Sequence, residues 1–366
     1  MPGRDITRLL NRAAKLLFLL AFVIWAGPQV GTSAWSQSAA PQSGKPADPP
    51  PATTPSGTPS TDTPPAQESQ QKPESQNKKL EDQGVFVFKK DVDEVLLHAT
   101  VQDDKNHIVT NLDRGAFTVL EDGKPQNIIS FHHEDIPVAM GIVIDNSGSM
   151  REKRSKVNQA ALNLVRSSNP KDEVFVVNFN DEYYLDQDFT NDLLKRKEAL
   201  EKIDARGGTA LYDAVVASAE HLKRNARLDK KVLFVVTDGE DNASNETLEQ
   251  AVKQLQEENG PSVYAIGILG DEEHPKRAKK ALDIIAERTG GIAFFPKTLD
   301  EVDEISKTVA RDIRNQYTIG YKPTKPRGEG GFRMVRVEAK AKGHGKMTVR
   351  TRSGYYAGPQ PAGAAK

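Results

Sequence analysis

A chain of 366 residues is long enough for two or three domains, and its 50 basic and 51 acidic side chains nearly cancel. That balance gives no global argument for nucleic acid or a membrane surface as partner. The absence of cysteine excludes disulfides, zinc–thiolate sites and thiol catalysis, and leaves the compartment open.

At the N-terminus, Arg4, Arg8, Arg12 and Lys15 precede the apolar run LLFLLAFVIWA at 16–26, and small residues follow at Thr32-Ser33-Ala34. A positive start, a short apolar run and a small-residue exit predict an export signal over 1–34, hence a periplasmic, envelope or secreted protein. The run is shorter than the roughly 20 residues that span a bilayer. Contact with a membrane is therefore expected only if this signal stays uncleaved as an anchor. Residues 35–82 are dominated by Pro, Ser, Thr, Gln and Lys and lack large apolar side chains. Such a segment cannot offset its ordering entropy and reads as a disordered tether; 359–366 reads as a disordered tail.

Period-two patterning starts near Val85. Val95, Leu97, Ala99 and Val101 share one face, and Phe117, Val119 and Glu121-Asp122-Gly123 read as a strand entering a tight turn with Ile128 and Ile129 returning. Residues 83–135 thus form a β segment too short to stand comfortably alone. From 136 to 315 the texture becomes strands alternating with helices. Strands are predicted at 138–145, 173–179, 231–237, 262–269 and 292–295. Their unbroken Val/Ile/Phe content suits parallel strands covered on both faces. Helices are predicted at 153–167, 191–203, 210–225, 244–258, 275–289 and 299–314; in the third, Leu211, Val215, Ala219 and Leu222 recur at helical spacing. Repeated β–α units imply an α/β, Rossmann-like domain with a mostly parallel central sheet.

Period two returns over 316–358. This segment carries ten Lys/Arg against two acids, whereas 83–135 carries five against ten. One reading is a basic patch for an anionic polymer. The preferred one is that the two β segments pair into a small all-β sandwich in which the α/β domain is inserted.

In an open α/β sheet, ligands bind beyond the carboxyl ends of the strands. Three oxygen-rich loops are predicted there: Asp145-Asn146-Ser147-Gly148-Ser149, Gly207-Gly208-Thr209-Ala210, and Thr237-Asp238-Gly239-Glu240-Asp241. They supply two carboxylates, Asp145 and Asp238, and three hydroxyls, Ser147, Ser149 and Thr209. An all-oxygen set without imidazole or sulfur suits a hard divalent cation, Mg²⁺ first, with Mn²⁺ and Ca²⁺ as alternatives. Two aspartates balance such an ion and neutral hydroxyls fill further positions. The ion then keeps an appetite for one more anionic ligand, an Asp or Glu of a partner protein.

These residues carry a resemblance. DNSGS, GGTALYDAV and VVTDGED look like the metal-ion-dependent adhesion site, or MIDAS, of von Willebrand factor type A (VWFA) domains, over roughly 136–315. The flanks FTVLEDGKPQNIISF and YTIGYKP resemble exported bacterial VWFA-related proteins of the acidobacterial type. The resemblance implies that Asp145, Ser147, Ser149 and Thr209 bind metal and that Asp238 acts through water. For the exported group it implies location and layout rather than an activity; the function expected from the site is adhesion or protein–protein binding, with no catalysis and no nucleic-acid partner.

Other readings compete. A lone Ser or Thr here would ordinarily cap a helix, and Ser149 and Thr209 are expected to do both. An envelope scaffold with a purely structural metal would use the same residues. A hydrolase would need more. Phosphoryl transfer to Asp145 calls for an acid two residues later, where Ser147 stands. Ser147 also lacks the G-x-S-x-G frame, and no phosphate-binding G-x-x-x-x-G-K-[ST] loop occurs.

Overall fold

The structure, a computed structural model, describes residues 94–358 except 134, 168, 203–204 and 271–273. The export signal, tether and tail expected from the sequence lie outside the described residues. Among those described, no helix is long and apolar enough to cross a membrane.

In chain order the elements are β1 (Val95–Gln102), β2 (Phe117–Glu121), β3 (Lys124–Gln126), β4 (Ile128–His132), β5 (Ala139–Asp145), α1 (Arg154–Arg166), β6 (Glu173–Phe179) and β7 (Tyr183–Thr190). Next come α2 (Leu193–Glu201), α3 (Leu211–Asn225), β8 (Lys231–Thr237), α4 (Leu248–Leu255), β9 (Ser262–Gly267), α5 (Pro275–Thr289), β10 (Ala293–Phe294) and α6 (Glu301–Arg314). The chain closes with β11 (Tyr317–Tyr321), β12 (Phe332–Ala339), β13 (Thr348–Arg350) and β14 (Gly354–Tyr356).

The central sheet runs β10-β9-β8-β5-β6-β7. Every pairing is parallel except β6 with β7. Its strands bury both faces, which is why their sequences do not alternate. Met140, Ile142 and Ile144 of β5 face one core with residues of α1 and α6, while Ala139 and Val143 face a second core with residues of α3, α4 and α5. From β5 the chain moves to β6 on one side, then returns to β8 on the other. This makes the β5–β8 boundary the switch point, where a crevice opens beyond the strand ends.

The flanking β segments pair with each other. One four-stranded sheet runs β13-β1-β11-β4 and the other β14-β12-β2-β3, so each mixes strands from before and after the α/β insert. The two share one core, with Leu97, Val101, Val119, Ile319 and Val337 among its buried members. The chain leaves the sandwich after β4 and re-enters at β11, and these two strands are antiparallel neighbours, with Phe131 opposite Ile319. At that root Arg314 bridges Asp135 at 2.9 Å and Asp172 at 2.6 Å.

Three local features depart from expectation. The strand returning along β2 is Lys124–Gln126, reached through the left-handed Asp122-Gly123 pair, whereas Ile128–His132 crosses to the other sheet. Strand β7 was not anticipated; it is a mixed polar edge strand with two register shifts against β6. Helix α4 is shorter than the predicted 244–258. The Thr247 side chain and Gln250 form a capping box that fixes its start, and the peptide N–H groups of Asn245 and Glu246 are taken by Asp213.

Candidate metal centre

β5 and β8 end side by side, and each delivers an acid to the crevice. Asp145, the last residue of β5, is fully buried. Its Oδ1 accepts the Ser147 peptide N–H at 2.8 Å and its Oδ2 accepts the Thr237 hydroxyl at 2.6 Å. Burial pushes its carboxyl up to about 6; the bonds from Ser147 and Thr237 oppose that rise, and the negative Asp238 adds to it. A buried carboxylate held this way is costly alone and gains from a cation.

After β5 the chain turns through a short 3₁₀ turn, Gly148–Met150, for which Ser147 is the preceding residue. The Ser147 side chain does not cap that turn; its Oγ lies 3.2 Å from Ser149 Oγ. Ser149 in turn donates its hydroxyl to Asp238 Oδ1 at 2.8 Å. The other oxygen of Asp238 accepts the Lys153 ammonium at 2.7 Å. Ser147, Ser149 and Asp238 are thus joined in one hydrogen-bonded line beside Asp145. The expected capping roles are not observed: α1 starts after Lys153 and α3 after Ala210, neither with a side-chain cap.

Thr209 sits on the loop between these two. Its peptide N–H donates to Asn242 Oδ1 at 2.9 Å and its carbonyl accepts the Asn242 N–H at 3.0 Å, which ties it to the loop after Asp238. Arg206 N–H donates to the Asn146 carbonyl at 3.0 Å, tying the same loop to the one after Asp145. Gly207 has φ +71°, and a Cβ there would stand 1.9 Å from Asp181 Oδ2. Asp181 instead accepts the Gly208 N–H at 2.7 Å, so the glycine pair is needed for the loop to close over it.

Four contributors escaped the sequence reading: Thr237 and Asn242, which orient Asp145 and Thr209, and the cations Lys153 and Arg154. Thr237 was visible beside Asp238, and its strand-end position was the available signal. Arg154 is fully buried, donating from Nη2 to Asn178 Oδ1 at 2.8 Å and the Leu200 carbonyl at 3.3 Å. Burial lowers its pKa to about 10 against the pull of Asp145 and Asp186.

Among the described residues no group of three or more His, Cys, Asp or Glu side chains gathers to hold a metal. The donor set here is of another kind, two buried carboxylates that each accept a hydroxyl. It fits a hard cation that accepts neutral oxygen, and offers nothing to a soft one.

An open, mostly parallel α/β sheet with acids and hydroxyls at its switch point defines a doubly wound α/β domain with an oxygen-lined crevice. Residues 140–308 match the family model of the von Willebrand factor type A domain, and the chain carries a domain of that family there. No curated protein matches the chain in sequence. Among solved structures it is similar to the von Willebrand factor type A protein of Catenulispora acidiphila, at 15% identity over 73% of this chain and 75% of that one, TM-score 0.43. Proximal thread matrix protein 1 of the mussel byssus, with a zinc-occupied MIDAS motif, matches at 18% identity over 53% of this chain and 50% of that one, TM-score 0.43. The PilB minor pilin of Streptococcus sanguinis matches at 14% identity over 50% of this chain, TM-score 0.42; the match spans 62% of the pilin.

Proposed function

We propose that this protein is an exported adhesion or protein-interaction module that grips an exposed Asp or Glu of a protein partner through a divalent cation, Mg²⁺ first and Mn²⁺ or Ca²⁺ as alternatives. Asp145, Ser147, Ser149 and Thr209 would hold the ion, with Asp238 behind them. The ion would supply a Lewis-acidic position for the partner's carboxylate. The observation that carries this reading is the buried Asp145 beside the continuous Ser147–Ser149–Asp238 line at the strand ends. Asp238 has both oxygens engaged, by Ser149 and Lys153, which supports an indirect role for it. The reading is non-catalytic because Ser147 occupies the place where phosphoryl transfer to Asp145 needs an acid. Half-exposed Tyr183 and Tyr184, at the start of β7 beside the end of β6, offer aromatic contact area near the same rim. Export rests on residues 1–34.

Calorimetric titration of the full chain with Mg²⁺, wild type beside Asp145→Ala, tests the metal. Retention on an immobilised Asp-containing peptide, with and without EDTA, tests the grip. One-site binding lost in the variant, with EDTA-sensitive retention, is expected. Retention that survives EDTA and Asp145→Ala would overturn the proposal in favour of a scaffold.

A further inference from the structure

The residues that open α1 are electrostatically misplaced. A helix N-terminus carries partial positive charge and favours acids. Here Lys153 is the capping residue, Arg154 is the first helical residue, and the first turn contains no acid. Lysine side chains ordinarily keep their ammonium in water. That of Lys153 is 12% exposed and lies 2.7 Å from Asp238 Oδ2, whose side chain is fully buried. By contrast Lys156, one turn along, pairs with Asp300 at the surface. Two cations have therefore been placed where the helix disfavours them and where burial is costly. Asp238 offsets this cost for Lys153, and Asp145 and Asp186 offset it for Arg154.

Resting on the function proposed above, we propose that Lys153 is a built-in counter-cation of the metal centre, which weakens the hold on the divalent ion and strengthens the hold on the partner's carboxylate. The charges decide the signs. Asp145 and Asp238 contribute two negative charges, and Lys153 and Arg154 two positive ones, so these four groups already balance; Asp186 beside Arg154 is matched by Lys202 at 3.3 Å. A divalent ion then enters against the ammonium and leaves the crevice with an excess of positive charge. An incoming carboxylate is the group that offsets that excess. Without Lys153 the crevice is net negative before the ion arrives, so the ion binds better and attracts an anion less. The device couples the two binding events: a bound ion is completed by an acidic ligand rather than satisfied by the protein alone.

The test uses the full chain, Mn²⁺ as the ion and acetate as the carboxylate. Mn²⁺ affinity is read by calorimetry and acetate affinity by paramagnetic relaxation of its methyl protons by bound Mn²⁺. Lys153→Met is expected to tighten Mn²⁺ by about tenfold or more and to weaken acetate by a similar factor, since a charge at this range acts through a partly buried medium. Lys153→Arg, which keeps the charge, is expected to restore both toward wild type, and Lys153→Gln repeats the loss should the methionine variant fold poorly. A structural role would move both affinities the same way. Equal Mn²⁺ affinity in wild type and the neutral variants, or parallel changes in both affinities, overturns the role of Lys153 alone. No Mn²⁺ bound by any of them overturns the metal reading itself.

Discussion

The sandwich and the strand-end crevice both bury charge, and they do it differently. In the sandwich, fully buried Arg333 lies 3.6 Å from Glu121, itself 3% exposed. Glu121 Oε2 accepts the hydroxyls of Tyr321 at 2.6 Å and Tyr355 at 2.9 Å, and Arg333 donates to the Lys325 and Pro326 carbonyls at 2.8 and 2.6 Å. Burial pushes both phenols up, so they remain protonated donors. This network joins β2, β11, β12 and β14, and its charged ends are bound by groups fixed in strands or backbone. In the crevice the carboxylates are bound by a serine hydroxyl, a threonine hydroxyl, a peptide N–H and a lysine ammonium, and the three side chains among them can turn to another partner. A buried charge met by fixed groups holds a fold together, whereas one met by adaptable groups is available to a ligand.

Removing charge should therefore act with opposite signs in the two places. Glu121→Ala leaves Arg333 unpaired in the sandwich core and is expected to cost about 3–5 kcal/mol by denaturant unfolding. A loss under about 1 kcal/mol, the size of an ordinary surface change, would mean the network is not the clasp described.

The seam between the sandwich and the α/β domain, at the other end of β8 from the crevice, gives a pH signature. Lys230 is 3% exposed, donates to the Ile313 carbonyl at 2.5 Å, and has its pKa lowered to about 7 by burial first and by Arg314 next. Between about 7 and the ordinary 10.5 the unfolded chain holds a proton that the folded chain has released. Stability is then expected to rise with pH across that window, by on the order of 5 kcal/mol, and Lys230→Met should flatten the rise. An unchanged slope in the variant would assign it to another group.

In the crevice, Asp145→Asn removes a carboxylate that burial disfavours. It is expected to stabilise the protein in EDTA by about 1–2 kcal/mol while abolishing divalent-ion binding. Destabilisation by the same substitution would make Asp145 a structural acid like Glu121 and erase the contrast. Gly207→Ala, forced to φ +71° with its Cβ into Asp181, is the mildest change, expected to cost about 1 kcal/mol and to weaken the ion by displacing Thr209.

The two regions also differed in how far the sequence could be read. The parallel strands were legible because burial on both faces leaves unbroken apolar runs, and 173–179 and 231–237 match β6 and β8 to the residue. β7 was not legible. Tyr183–Thr190 has one strand neighbour and largely exposed side chains, so neither alternation nor an apolar run marks it. The crevice acids and hydroxyls were legible because oxygen-bearing residues directly after an apolar strand have few structural uses. Lys153 and Arg154 were not, since within helical spacing they read as solvated cations, and their burial follows only from the three-dimensional meeting of α1 with β5 and β8. The opposite net charges of 83–135 and 316–358 pointed to their pairing, which the strand register displays, with Val95 opposite Tyr321 and Val337 opposite Val119. The same count could not foresee that Glu121 and Arg333 lie inside.

The most direct measurement is anomalous diffraction from a crystal of the full chain soaked in Mn²⁺. One strong peak is expected at the ends of β5 and β8, within coordinating distance of Asp145, Ser147 and Ser149, and it should disappear in Asp145→Ala. A peak elsewhere, or none in the wild type while Lys153 remains on Asp238, would contradict a metal centre at these strand ends.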